Sequence, residues 1–518
     1  MKQFNLFITI VMMYSLTFAQ NFTRSELPTT VDTPWEVTYG PDEHLWITEF
    51  GGVVSRVNPT TGQKTVVYAA NDYFGGGFAE VNNLCGKWIS SGTFGLALHP
   101  DFLTPETAYI YFVYTYNSGT NSSPSTKFRI KRLKWDAVNE QVIEDLNIVN
   151  NIQNGYDHQG GRLLAVKQNG TPYLFYTLGD LGVSEDNDPL CYSPQSNNPN
   201  NQAQNPNTQN GKVHRFNMDG TIPADNPISG NSFYTRGHRN PQGLIYNDRL
   251  EIIYDVEHGD RIDDEINVLE KGMNYGWKDV RGYHDGNHPG ETDYVNNYTP
   301  NASIAGDKLV EPLYSWCQAS SGDNWLGWCT VAPSGGDYYG HCAIPEWENS
   351  LLVVTLKDGV TTNRQVFQFK LLDNGELAPS TITSPNPKTF FGGDQGQNGR
   401  LRDLAISSDG KKIFIVNTGG GNDKITVYTY TGPDGCSTAS IDSSENSSIY
   451  ISPNPTEDHV TVSGIETIKR VEAISQTGAV QQISFQDKTI DTKSLKSGIY
   501  FLKVYSLDNN YFFKLIKK

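Results

Sequence analysis

The stretch Thr33–Phe50, TPWEVTYGPDEHLWITEF, followed by VVSRVNP at residues 53–59, reads as an alternating apolar strand, a Pro-Asp turn, an aromatic-rich strand and a third strand carrying a basic residue. β-Branched and aromatic residues fit a pleated, half-buried surface, and Gly, Pro and Asp punctuate it. The same order returns as FGLALHPDF (94–102) with AYIYFVYTY and FRIKRLKWD, as GRLLAVKQNGTPYLFYTLGD (161–180) with GKVHRFNMDG, and as GLIYNDRLEIIYDVEHG (243–259). It recurs as LLVVTLKDG (351–359) with RQVFQFKLLDNGE, and as LRDLAISSDGKKIFIVNTGG (401–420) with ITVYTYTG. These six units, each with about four short strands of pattern, predict an all-β fold, a six-bladed β-propeller with long inserted loops. The irregular spacing also suits a large sandwich, but turn chemistry repeating at the same place in each unit favours the propeller.

At 518 residues, 37% hydrophobic and 12% aromatic, the chain exceeds one ordinary domain and can bury a sizeable core. Lys2, the apolar run LFITIVMM and the ending Thr17-Phe18-Ala19 predict a signal peptide over residues 1–19 and an exported protein. No later run approaches the about 20 apolar residues that span a bilayer, which predicts a secreted or surface-attached product. A net charge of −17 argues against nucleic acid as a partner, because phosphate binding draws on a basic surface. Of the six cysteines, Cys85, Cys191, Cys317, Cys329, Cys342 and Cys436, the pair Cys317 and Cys329 flanking a short loop is the expected disulfide. The Asn- and Gln-rich run NNPNNQAQNPNTQN (197–210) reads as an exposed surface insertion.

Residues 237–277, GHRNPQGLIYNDRLEIIYDVEHGDRIDDEINVLEKGMNYGW, concentrate Arg, His, Asn and carboxylates in a run that core building does not require. Asp263, Asp264 and Glu265 repel one another unless solvent or a cation compensates, so the run reads as a solvated acidic turn or as a site for a hard metal such as calcium. A propeller spans the predicted domain 24–432, and STASIDSSENSS marks a Ser-rich linker over 433–448. Alternating strands over 449–518 predict a small β-sandwich. That tail, with SPNP at 452–455, Gly498-Ile499-Tyr500 and a Lys-rich end, resembles the C-terminal sorting domain of type IX secretion, which implies that secretion machinery as a partner.

GHRNPQGL, DDEINVLEKGMNYGW, DHQGGRL, GLALHPDF and GRLRDLAISSDG, in this order-defining combination from about Thr33 to Tyr430, resemble the soluble pyrroloquinoline quinone-dependent glucose and aldose dehydrogenases, the glucose/sorbosone dehydrogenase family. The resemblance implies a six-bladed propeller that oxidises an aldose sugar at C1 to the lactone, uses pyrroloquinoline quinone and calcium, and passes electrons to an external acceptor. A homodimer is among the assemblies it allows. It places a general base at His158, an orienting carboxylate at Asp180 and a reaction-centre guanidinium at Arg239; alone, a His before a strand or a Gly-Asp after one is more often structural. It assigns quinone contacts to Arg239, Asn240, Thr330, Lys357, Arg400 and Arg402, with Trp328 as a ring cover. Guanidinium groups match carboxylates bidentately, and Arg400 and Arg402, two apart on a strand, share a face; alone, such a pair also describes a solvent face.

The catalytic calcium is implied at the carbonyls of Gly259 and Asp260, where the family has Pro at the second position. A second, structural calcium is implied at Glu265, the Tyr275 carbonyl and Asp285, with Asp264 nearby. Ser90 stands where the family has Gln or Glu, so glucose is not assumed as substrate. Two rival readings remain: a propeller without turnover that binds carbohydrate or protein at the cell surface, and a calcium-dependent propeller lactonase in which His158 activates water.

Overall fold

The computed structural model describes residues 21–75, 91–120, 125–155, 157–182, 201–317, 328–357, 364–392, 400–418, 423–436, 450–464, 467–475, 480–506 and 510–518. Ser90, Cys85, Cys191, the expected signal peptide and most of the expected linker lie outside them. The chain divides into two compact units, residues 1–436 and 437–518. In the first, β1 (Phe22–Glu26) precedes five complete antiparallel four-stranded blades. Blade 1 is β2 (Glu36–Tyr39), β3 (Leu45–Glu49), β4 (Val53–Val57) and β5 (Lys64–Ala69). Blade 2 is β6 (Thr93–Leu98), β7 (Tyr109–Asn117), β8 (Thr126–Asp136) and β9 (Gln141–Ile152). Blade 3 is β10 (Leu163–Gln168), β11 (Thr171–Leu178), β12 (Lys212–Asn217) and β13 (Phe233–Arg236). Blade 4 is β14 (Pro241–Asn247), β15 (Ile252–Glu257), β16 (Asp264–Val268) and β17 (Tyr314–Trp316). Blade 5 is β18 (Pro333–Tyr339), β19 (Ser350–Thr355), β20 (Val366–Lys370) and β21 (Lys388–Phe390).

Blade 6 is β22 (Arg400–Ile406), β23 (Lys412–Thr418) and β24 (Ile425–Tyr430), completed by β1, which pairs Phe22 with Tyr430 through Glu26 with Thr426. The first and last parts of the propeller thus share a sheet, and β22 packs beside β2 to close the ring. Closure leaves only short, protected edges. The repeating motifs do not include β1, β5, β9, β13, β16, β17, β18 or β21. Of these β1, β13, β16, β17 and β18 are short or interrupted by Gly and Pro, β17 follows a long insertion, and β5, β9 and β21 bury little of their length, so their alternation is weak.

Between blades the apolar faces interdigitate: Tyr111, Val113, Phe128, Leu174 and Tyr176 are fully buried in one layer, and Trp46, Phe112, Tyr114 and Leu133 in another. Each such side chain contributes about 1.5–3 kcal/mol on burial. The second unit is a β-sandwich. One sheet contains Tyr450–Ser452, His459–Ser463, Thr489–Asp491 and Phe485–Gln486, and the other Val480–Gln482, Ile468–Ser475, Gly498–Ser506 and Asn510–Lys517. Val460, Val462, Val471, Leu502, Val504 and Leu515 fill the space between them.

Four innermost strands, β6, β14, β18 and β22, break register against their neighbours at Thr93/Leu96, Pro241/Gly243, Pro333/Gly336 and Leu401/Asp403. A bulge re-aims a side chain that strict alternation would send into a sheet face. Here the shifted residues include Phe94, Gln242 and Arg402, which all turn toward one cavity.

Candidate active site

That cavity, about 830 Å³, opens where the inner strands begin, and a second of about 710 Å³ lies where they end. Between them Arg162 bridges Glu36 and Asp403 (3.0 Å to the latter), donates through Nε to the Gln242 carbonyl at 2.9 Å and stacks over Trp35 at 4.2 Å. The cavity is lined by His158, Arg239, Asn240, Gly259, Asp260, Thr330, Lys357, Arg400 and Arg402, drawn from blades and loops far apart in sequence. Asp157, His258, Asp264, Trp328 and Arg364 complete its polar wall.

His158, buried and in the left-handed region (φ 51°), precedes two glycines in the same region, Gly160 and Gly161. Its Nδ1 donates to Asp180 Oδ1 at 2.7 Å, which leaves Nε2 as the basic nitrogen. Asp180 is fully buried just after β11; its backbone N–H donates to the Arg239 carbonyl at 2.7 Å. Gly179 makes this approach feasible, because a Cβ there would collide with the carbonyls of both His158 and Arg239. Burial and the Arg239 guanidinium oppose protonation of His158, but Asp180 and Asp157 outweigh them and hold the imidazole above its ordinary value of 6.5.

The cavity is also lined by cations. Lys357 Nζ donates to Thr330 Oγ1 at 3.2 Å and to the Trp328 carbonyl. Arg402 donates to Gln242 Oε1 at 2.9 Å, and its buried Nε has no partner among the described residues. Burial, with Arg400 and Arg162 beside it, pushes Arg402 down to about 9. Arg400 is also lowered, by burial and Arg364. Arg239 reaches the His258 carbonyl at 3.2 Å and lies 5.6 Å over the Trp277 ring. Burial and Arg239 hold His258 far below the usual imidazole range, and its buried Nε2 has no partner among the described residues. Converging cations fit a ligand carrying several carboxylates.

The backbone entering Arg239 and Asn240 is held from below. Glu257 accepts both of their N–H groups and pairs with His238 at 2.8 Å. Burial opposes charge on His238, yet Glu257 and Asp255 push it up to about 9.

The acidic run is not a solvated turn. Asp263 and Asp264 are buried: Asp263 accepts from Ser315 at 2.6 Å and Asn287 at 3.0 Å, and Asp264 from the N–H groups of Gly259, Val331 and Ala332 at 2.9, 2.6 and 2.8 Å. Burial pushes each up to about 6. Gly259 and Asp260 border the cavity beside Asp264, an oxygen-rich corner that suits a hard cation. The carboxylate of Asp260 pairs with Arg281 at 2.9 Å, so it adds no net charge.

Glu265 accepts from Gly282 N at 2.8 Å and Asn267 at 3.1 Å, Tyr275 is buried, and Asp285 is exposed. Among the described residues, Glu265 and Asp285 join no group of three His, Cys or carboxylate ligands close enough to share an ion. Cys317 and Cys329 form a disulfide, as do Cys342 and Cys436.

Arg281→Met should leave Asp260 buried and uncompensated, a loss of about 3–5 kcal/mol. Thermal denaturation of the calcium-free protein should show the loss and its recovery in the double variant with Asp260→Asn.

The sequence reading did not single out Gln242, His258, Arg364, Trp277, Arg281 or Asn201. Gln242 lies inside the GHRNPQG motif and Trp277 closes DDEINVLEKGMNYGW, so motif membership could have marked them. Residues 201–210 are not a surface insertion either: Asn201, Ala203 and Asn210 are buried, and Lys212 anchors the segment.

The glucose/sorbosone dehydrogenase family model matches residues 31–426, and the secretion system C-terminal sorting domain matches residues 448–518. The chain is 30% identical to quinoprotein glucose dehydrogenase B of Acinetobacter calcoaceticus over 78% of its length and 87% of that protein's. It is 26% identical to the aldose sugar dehydrogenase YliI of Escherichia coli, covering 76% of this chain and 89% of that protein. The fold is similar to the PQQ-bound aldose sugar dehydrogenase of Streptomyces coelicolor, with a TM-score of 0.53, 22% identity, and coverage of 79% of this chain and 98% of that one.

Proposed function

The chain belongs to the glucose/sorbosone dehydrogenase family, and from that membership and the geometry of the cavity we propose an exported quinoprotein that oxidises an aldose at C1 to the lactone and passes electrons to an external acceptor. The observation that carries this reading is a buried His158–Asp180 pair in a cavity that is also lined by Arg239, Lys357, Arg364, Arg400 and Arg402. A binding module has no use for an oriented base, and a calcium-dependent hydrolase has no use for so many cations.

Pyrroloquinoline quinone, when bound, supplies the electrophilic carbonyl that takes hydride from C1, and calcium beside it supplies Lewis-acid polarisation. The protein's own residues do the rest. Arg400, Arg402, Lys357 and Arg239 would bind the quinone's three carboxylates, with Asn240 and Thr330 as neutral hydrogen-bonding partners. Gly259 and Asp260 would hold the calcium through their carbonyls, and Arg281 offsets the Asp260 carboxylate.

His158 Nε2 removes the proton of the C1 hydroxyl as C1 gives up hydride, so the sugar loses two electrons and two hydrogens in one step. Asp180 fixes the ring and favours the imidazolium that results. Glu265, Tyr275 and Asp285 are proposed for a second, structural calcium. The matched sorting domain supports delivery by type IX secretion.

The test is reconstitution of purified full-length protein with the quinone and calcium, followed by dye reduction across a panel of aldoses. The expected result is sugar-dependent dye reduction that requires both additions. Tight quinone binding without reduction by any aldose overturns the reading.

A further inference from the structure

We propose that Asn201 is a positioning residue for the His158–Asp180 pair, holding the second carboxylate oxygen of Asp180 from a loop that a buried lysine ties in place. The dehydrogenase reading supplies only the use of the pair; the contact itself stands on geometry. Asp180 Oδ1 serves His158 at 2.7 Å and Gly182 N at 2.9 Å. Oδ2 accepts from Asn201 Nδ2 at 3.1 Å and from Trp277 Nε1 at 2.8 Å. Asn201 is 7% exposed, and its Oδ1 accepts from Ala203 N at 3.0 Å, which fixes the amide so that Nδ2 points at the carboxylate.

The loop is built inward. Lys212 is fully buried, and its Nζ donates to the carbonyls of Gln202, Ala203 and Asn210 at 3.0, 2.9 and 2.6 Å. Burial lowers this ammonium well below its ordinary value, so it is retained at a cost in stability. Gln204 donates to the Trp277 carbonyl at 2.7 Å and to Asn274 at 2.9 Å. The two donors on Oδ2 therefore come from segments that Gln204 cross-links.

Each donor stabilises the carboxylate anion and makes it less basic. Losing one strengthens the pull of Asp180 on the His158 proton. The other groups acting on this imidazole are Asp157 and Arg239, with His258 nearby.

Full-length protein labelled with ¹³C-histidine reads the effect directly, the His158 signal being the one lost in His158→Gln. Asn201→Ala should move its titration about half a pH unit upward, and Asn201→Asp, nearly isosteric, about one unit, by placing a second carboxylate against the first. In the reconstituted enzyme kcat should fall about 10-fold with KM within about twofold, and the effect should be strongly non-additive with Trp277→Phe. Unchanged titration in both Asn201 variants, or strict additivity with Trp277→Phe, overturns the proposal. Should Asn201→Ala fail to fold, Asn201→Asp carries the titration alone. A shifted titration in a protein that oxidises no aldose would reject the dehydrogenase reading and leave the positioning role standing.

Discussion

His158→Ala should bind pyrroloquinoline quinone with an affinity within a few-fold of the unmodified protein and turn over about 10²–10⁴-fold more slowly. Lys357 is held by Thr330 and Arg402 by Gln242, so loss of the imidazole removes the proton acceptor and leaves these carboxylate-binding residues in place. Quinone titration followed by absorbance, set against dye reduction under saturating sugar, separates the two quantities. A variant that retains turnover shows that another group takes the proton, and the neutral His258 beside it is the first to examine.

The same residue sets a pH dependence. His158 works as a base only when neutral, and Asp180 and Asp157 hold it protonated above 6.5 despite burial and Arg239. Turnover should therefore rise with pH along a limb centred above 6.5. Asp180→Asn removes the largest attraction for that proton, and should move the limb downward while lowering the plateau through loss of orientation.

The sequence displayed the blades because each repeats an alternation of period two broken by Gly, Pro and Asp turns, a pattern local enough to survive without tertiary information. It displayed His158, Asp180 and the cations through motifs, not through spacing. The supporting residues were invisible for a physical reason. Lys212 in GKVHRFN looks like any basic residue on an outward strand face, and only the carbonyls of residues 202–210 folding over it make it a buried anchor. Asp260 looks like an added charge because its partner Arg281 belongs to another loop. Arg402 and Gln242 meet because bulges on the inner strands of blades 6 and 4 each shift register by a residue, and alternation cannot encode a bulge. The acidic run 263–265 leaves a solvated turn and a metal site both open in the sequence because the partners of Asp263 and Asp264, Ser315, Val331 and Ala332, arrive from the end of blade 4 and the approach to blade 5.

Arg402→Met should separate stability from function in opposite directions. Burial and two neighbouring guanidinium groups lower Arg402 to about 9, against an ordinary value of 12.5. A cation whose folded pKa is depressed weakens the fold wherever it is charged: the full cost applies below about 9 and fades as pH rises toward 12.5. At neutral pH the quinone-free protein should therefore gain stability on losing this charge, by about 0.5–2 kcal/mol, as happens when a strained functional group is replaced by an apolar one of similar reach. Quinone affinity should fall in the same variant by about 2–4 kcal/mol, roughly 30- to 1000-fold, because one charge-assisted partner of a carboxylate is gone and the carboxylate is left desolvated. Thermal denaturation without quinone and quinone titration at fixed calcium measure the two changes. A fall in both would mean that Arg402 serves mainly to brace Gln242 and Ser334 across the bulges, to which it donates at 2.9 and 3.4 Å. A rise in the first with a fall in the second would show that the site keeps its charges at the expense of the fold, for an anion that restores the balance when it binds.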